Sequence, residues 1–165
     1  MLETGAGAGG VPEGYHTVTP WIIGRDTDGL IRFLAEVFGA EEIGRMTDEA
    51  GDIGHAEVRI GDSVVMMFDK RDWPATPGFL RLYVEDAQAA HDRAVAAGGT
   101  SVTRPTHLFW GDIVGRIADP FGNLYWVQQH VEDVSEDEIA RRLTDPTFAG
   151  NLDYVQRSLF RPDTG

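Results

Sequence analysis

The chain contains no cysteine. That removes disulfides, thiol nucleophiles and cysteine-type zinc sites. No apolar run approaches the roughly 20 residues that cross a bilayer, so no membrane partner is expected. Residues 1–10 are rich in Gly and Ala and lack a basic start, so they do not read as a secretion signal. A cytoplasmic location is expected, with residues 1–14 a disordered lead-in. Basic charge is also scarce: 14 Lys and Arg stand against 27 Asp and Glu, a net charge of −13. A polyanion would be repelled and there is no basic stripe, which excludes nucleic acid. The acidic surface serves solubility and is compatible with a cationic ligand. No Ser-His-Asp set, phosphate-cradling glycine loop or HExxH helix is present.

What is present suffices for one domain. The 165 residues are 42% hydrophobic, enough for a real core. The strongest local signal is residues 109–126, read as strand, tight turn and strand. Its turn is Asp119-Pro120-Phe121-Gly122-Asn123, where Pro presets φ and Gly or Asn accepts a positive φ. Aromatic and β-branched flanks suit a half-buried sheet. Trp110 and Trp126 are then either core or the wall of a pocket.

Along the chain, residues 15–23 read as a strand, with Pro20 suggesting an edge. Asp26 or Thr27 caps a helix whose Leu30, Phe33, Leu34, Val37 and Phe38 form one apolar face, closed by Gly39. Residues 40–46 are extended and 47–52 form a polar loop. Residues 55–60 alternate, a hairpin turn follows at Gly61-Asp62, and residues 63–68 make the next strand. Residues 69–77 link to a second copy of the pattern. There, 79–84 is a strand, Asp86 caps an alanine-rich helix ending at Gly98-Gly99, 100–103 is extended and 104–108 is a loop. The hairpin that ends near His130 completes the copy. Two such units pair to close one curved sheet with a helix behind each half.

The division is therefore a lead-in at 1–14, a domain at 15–130 with modules at about 15–69 and 78–130, and a helical tail at 131–165. Ser135 with Glu138 marks a helix start, and Arg141 and Arg142 suit that helix's C-terminal end. Residues 151–160 form a second short helix carrying Leu152, Val155 and Leu159. So few apolar groups hold a helix only when it docks on the domain or on a second subunit.

These modules resemble the vicinal-oxygen-chelate superfamily of glyoxalase I, extradiol dioxygenases, and bleomycin and fosfomycin resistance proteins. Val18-Thr19-Pro20-Trp21, residues 55–63, Phe109-Trp110-Gly111-Asp112, Asp119-Pro120-Phe121-Gly122 and residues 130–135 are similar to its PhnB-like branch. The resemblance implies an α+β fold, with two βαβββ modules pairing into a U-shaped mixed sheet and helices on the outer face. It also implies a homodimer with pockets near or across the interface.

The superfamily's enzymes hold a divalent metal with one His or Glu from each of four strands. Carried over, those positions fall on Thr19, Phe79, Trp126 and one residue within 65–67. None is a His, Glu or Asp, so no metal and no cofactor is expected. Strand alternation groups Trp21 with Thr19, Arg81 and Tyr83 with Phe79, and Gln128 with Trp126. With Met67, and with His107 and Trp110 at the rim, these residues form the expected ligand site, suited to an aromatic or cationic compound. His55 and Glu57 share a strand face and are the remaining route to a displaced metal. His16 and His130 read as structural and His91 as surface. The expected function is a small-molecule binding protein, of the kind used in drug resistance. The alternatives are a lyase, isomerase or dioxygenase with a displaced or absent metal, and an interaction protein using the acidic C-terminal helices.

Overall fold

The computed structural model describes residues 10–74 and 76–159, so most of the lead-in and the last residues of the tail lie outside the described residues. Within them the fold is α+β, two βαβββ modules built alike. The first contains Trp21–Gly24 (β1), Thr27–Phe38 (α1), Glu41–Thr47 (β2), Ile53–Ile60 (β3) and Ser63–Asp69 (β4). The second contains Phe79–Tyr83 (β5), Ala87–Ala96 (α2), Thr100–His107 (β6), Asp112–Ala118 (β7) and Leu124–His130 (β8). Each module makes its own four-stranded mixed sheet, in the orders β1-β4-β3-β2 and β5-β8-β7-β6. The first strand of each module pairs in parallel with the last. That leaves β1 and β5 as edges.

Both helices begin on an aspartate. Asp26 accepts from Gly29 N and Asp86 from Ala89 N, satisfying donors that a helix start leaves free. α1 ends where Gly39 takes φ +67, a conformation that glycine enters without a Cβ penalty. Leu30, Phe33, Leu34 and Val37 are buried, as the helical spacing predicts. They pack with Ala56, Val58, Met67, Ala90, Ala94, Ile117, Tyr125 and Val127 into one core that joins the two modules through their helices. The alanines of α2 allow that close approach, since a larger side chain would force the helix off the sheet.

The turn at 119–123 is organised by a buried carboxylate. Asp119 Oδ1 accepts from Phe121 N and Asn123 N, at 2.8 and 2.9 Å, and Oδ2 accepts from Asn123 Nδ2 and the Tyr125 hydroxyl, at 2.7 and 2.8 Å. Asn123 Oδ1 in turn accepts from Gly78 N at 2.8 Å, tying the hairpin to the start of β5. Burial, then the Asp119 charge, push the Tyr125 phenol far up, so it stays protonated and donates.

Four local expectations are corrected. β1 is shorter than residues 15–23 and begins only after Pro20, which lacks an N–H, although its carbonyl still accepts from Met66 N. Residues 104–107, read as a loop, continue β6. Pro105 is accommodated by register shifts on either side of Thr103, which is how a strand tolerates proline. Phe109-Trp110-Gly111 is the turn between β6 and β7, so Trp110 does not lie on a hairpin strand. His91, read as surface, is buried, with Nε2 2.9 Å from Ser101 Oγ.

The tail forms Glu136–Leu143 (α3) and Pro146–Arg157 (α4). α4 begins five residues before residue 151, because Asp145 caps it and Pro146 sits in its first turn.

Candidate ligand-binding site

In the second module, Tyr125, Val127 and Ile117 face the helices, so strand alternation sends Trp126, Gln128, Val114 and Arg116 to the opposite face. The register aligns one row across four strands: Arg81 on β5, Trp126 on β8, Arg116 on β7 and Thr103 on β6. Trp126 therefore stands between two guanidinium groups. The Arg81 Cζ lies 4.1 Å from its ring centroid and the Arg116 Cζ 3.9 Å. Each is a cation–π contact.

The two arginines differ in environment. Arg81 is exposed on an edge strand. Arg116 is 2% exposed, and its Nη1 donates to Thr103 Oγ1 at 3.0 Å and to the Val155 carbonyl at 2.7 Å. Both acceptors are neutral. Its buried Nε has no partner among the described residues. Burial, reinforced by the Arg81 charge, lowers the Arg116 pKa to about 10, so it remains a cation at neutral pH. A buried charge without a counter-charge costs several kcal/mol.

α4 covers this end of the face. Val155 packs with Leu108 and Val114, flanked by Trp110, Trp126, Leu152 and Tyr154. Asn151 Nδ2 donates to the His107 carbonyl, Tyr154 accepts from Arg104 N, and Thr103 Oγ1 meets Ser158 Oγ at 2.8 Å. α3 is anchored by Arg142, which donates to both Glu132 and Glu138. The bonds from Arg141, then those from Arg142, hold the Glu138 carboxyl at about 2. The tail thus docks on its own domain.

β5 also lines an open groove of about 790 Å³ between the modules. Val18, Pro20, Ile60, Ser63, Leu80, Arg81, Tyr83 and Arg93 are among its walls. The expected site residues divide accordingly. Arg81 and Tyr83 line the groove, and Trp126 and Gln128 stand beside them on the same face. Phe79 and Tyr83 are 61% and 68% exposed along β5, and Trp21 is 55% exposed on β1, stacked on Phe68 at 5.6 Å. Thr19 precedes β1 and donates to the His16 carbonyl. Met67 is fully buried in the core, and Met66 is the residue in register with Trp21. His107 lies edge-on to Phe148 beneath α4, with Nε2 3.2 Å from Glu132 Oε1. Trp110 donates to Asp112 Oδ2.

Asp112 is a local hub that the sequence did not single out. It accepts from Trp110, Gln128 and His130. Burial raises its carboxyl, but the bonds from His130, Gln128 and Trp110 outweigh this and hold it below the usual range. The Gln128 Oε1 is buried without a partner among the described residues. Arg116, the buried cation of the row, was also missed. A charged residue alternating with Val114 and Ala118 on a central strand was the available signal.

The positions that the resemblance assigns to metal ligands carry Thr19, Phe79, Trp126 and the run Val65 to Met67. Aromatic rings and a core methionine cannot chelate a hard divalent cation, and two guanidiniums beside Trp126 would repel one. The residues present do not fit that metal. His55 and Glu57 do meet, with His55 Nε2 2.9 Å from Glu57 Oε1, and Glu57 also accepts from the Tyr15 hydroxyl. Among the described residues no group of three His, Asp or Glu side chains converges as a metal set.

The profile of the Glyoxalase/Bleomycin resistance protein/Dioxygenase superfamily matches residues 15–127. The chain belongs to that superfamily. It is also 35% identical over 134 residues to an uncharacterized protein of Mycobacterium bovis, covering 74% of this chain and 88% of that one. A Mycobacterium tuberculosis protein matches at the same identity, over 79% of its length. Among solved structures, TioX from Micromonospora sp. ML1 superposes with a TM-score of 0.60 at 23% identity, covering 68% of this chain and 97% of TioX. A superfamily enzyme from Burkholderia phytofirmans PsJN gives 0.57 at 18% identity, with 68% and 97% covered. At these identities the structures show a shared superfamily fold. No helix among the described residues is long and apolar enough to cross a membrane.

Proposed function

We propose that this protein binds a flat aromatic compound without a metal, in the manner of the superfamily's resistance proteins, and that it belongs to the PhnB-like branch and acts as a homodimer in the cytoplasm. The observation that supports this most is Trp126. The resemblance assigns its position to a ligand of the superfamily's metal enzymes, and here the ring is flanked by Arg81 and Arg116. An apolar wall with a few placed polar groups, next to a groove of about 790 Å³, is the usual form of a small-molecule site. The PhnB-like placement rests on the quoted motifs. The acidic tail is a weaker candidate for partner binding, since the buried side of α4 is used on its own domain.

Titrating a panel of bicyclic aromatics while following tryptophan fluorescence tests the reading. Saturable quenching is expected in the wild type and strong weakening in Trp126→Ala. Elemental analysis of the purified protein is the companion measurement. Stoichiometric zinc, nickel, iron or manganese would overturn the metal-free reading in favour of a lyase, isomerase or dioxygenase.

A further inference from the structure

The ligand's charge can be read from the same row of side chains. In a chain with nearly twice as many acids as bases, several arginines are paired with carboxylates. Arg45 bonds Glu42 and Asp28, Arg71 bonds Asp52, and Arg142 bonds Glu132 and Glu138. Among the described residues Arg81 and Arg116 lack such a partner, as do Arg25, Arg59 and Arg93, which donate to backbone carbonyls; what sets the first two apart is that they share one indole. Both guanidiniums lie against one indole, and among the described residues neither has a carboxylate partner. Asp62, Glu85 and Asp86 line the groove that Arg81 faces, yet none pairs with it. Asp62 accepts from Ser63, and Asp86 caps α2.

Two like charges held close cost energy unless something offsets them. Trp126 offsets part, through the negative faces of its ring. The carbonyl at the end of α4 offsets part for Arg116. Among the described residues no carboxylate pairs with either guanidinium. The unpartnered Nε of Arg116, on a side chain more than nine-tenths buried, marks a donor that the fold itself leaves unused. A carboxylate seated at Arg81 would gain a charge-assisted bond and would feel the Arg116 charge across the indole.

We propose that the site selects an anionic aromatic compound, an aryl carboxylate or its equivalent, with Arg81 contacting the anion and Arg116 acting as a buried positioning charge behind Trp126. This rests on the small-molecule reading above and narrows its ligand class. It replaces the cationic option, because an ammonium group here would meet two guanidiniums.

Three probes with one ring system separate the outcomes: 2-naphthoate, neutral 2-naphthalenemethanol and 2-naphthylmethylammonium. Affinities would be measured by calorimetry on the full chain at neutral pH. The naphthoate should bind at least about tenfold tighter than the alcohol, and the ammonium weakest. Arg81→Met keeps an unbranched stem and should erase the advantage of naphthoate over the alcohol. Arg116→Met should reduce it without abolishing alcohol binding. Thermal melts report whether each variant is folded, and Arg81→Met, on an edge strand, carries the test should Arg116→Met fail to fold. If all three probes bind alike, the charge assignment is wrong and the small-molecule reading stands. Tighter ammonium binding would reverse the assignment. If no probe binds, both readings fall together.

Discussion

Single residues carry this fold where polar groups are buried. Asp119 is 6% exposed and accepts four hydrogen bonds, two from backbone N–H groups of its own turn and two from side chains. Removing the carboxylate leaves Asn123 and Tyr125 donors buried and unmatched, and such groups cost about 1–3 kcal/mol each when stranded. Asp119→Ala should therefore lose about 3 kcal/mol of stability, measured by urea unfolding. A loss below about 1 kcal/mol would show that Pro120 and Gly122 hold the turn unaided. The contrast with Arg116 is instructive. Asp119 is buried and fully satisfied, which is how a structural polar group is kept. Arg116 is buried with its Nε unpartnered among the described residues, and the indole of Trp126 offsets part of that cost.

At the scale of elements, the helices and hairpins were legible because their signals are local. Asp26, Gly39, Asp86 and the Gly61 and Gly122 turns act within a few residues of themselves. The internal repeat pointed to the pairing of the two modules, and the resemblance gave its form. What escaped was non-local. The burial of His91 depends on β6 passing within reach of α2. The continuation of β6 through Pro105 depends on a bulge set by β7. Most of all, nothing in residues 146–157 says which surface they cover. α4 docks through one buried side chain, Val155, and a handful of hydrogen bonds. It should thus open before the core does. Val155→Ala removes two buried methyl groups worth about 2 kcal/mol. It should speed amide exchange in α4 by roughly thirty-fold, while β7 and β8 keep their protection. Equal acceleration in those strands would mean that the tail unfolds only with the whole domain.

For the whole molecule, the apolar surface is distributed unevenly. Among the described residues β1 and β5 are each an edge of their sheet, and β5 lines the groove between the modules. Val18 just before β1, Trp21 on it, and Phe79 and Tyr83 on β5 are all more than half exposed. Open strand edges bearing large apolar groups invite pairing with another chain, and contiguous exposed apolar surface marks contact sites. Trp21 and Tyr83 could serve a second subunit or the ligand, and one variant separates the two uses. The wild type should sediment at twice the chain mass at micromolar concentration. Trp21→Glu with Tyr83→Glu places two charges on the patch, which a subunit interface could not bury without several kcal/mol of cost. The double variant should sediment as a monomer if the edges join two copies. If it remains dimeric but no longer quenches with aromatic probes, the patch belongs to the binding site and the subunits meet elsewhere. A wild type that is monomeric across this range would remove the homodimer from the proposed function, leaving Arg81 and Trp126 to bind within one chain.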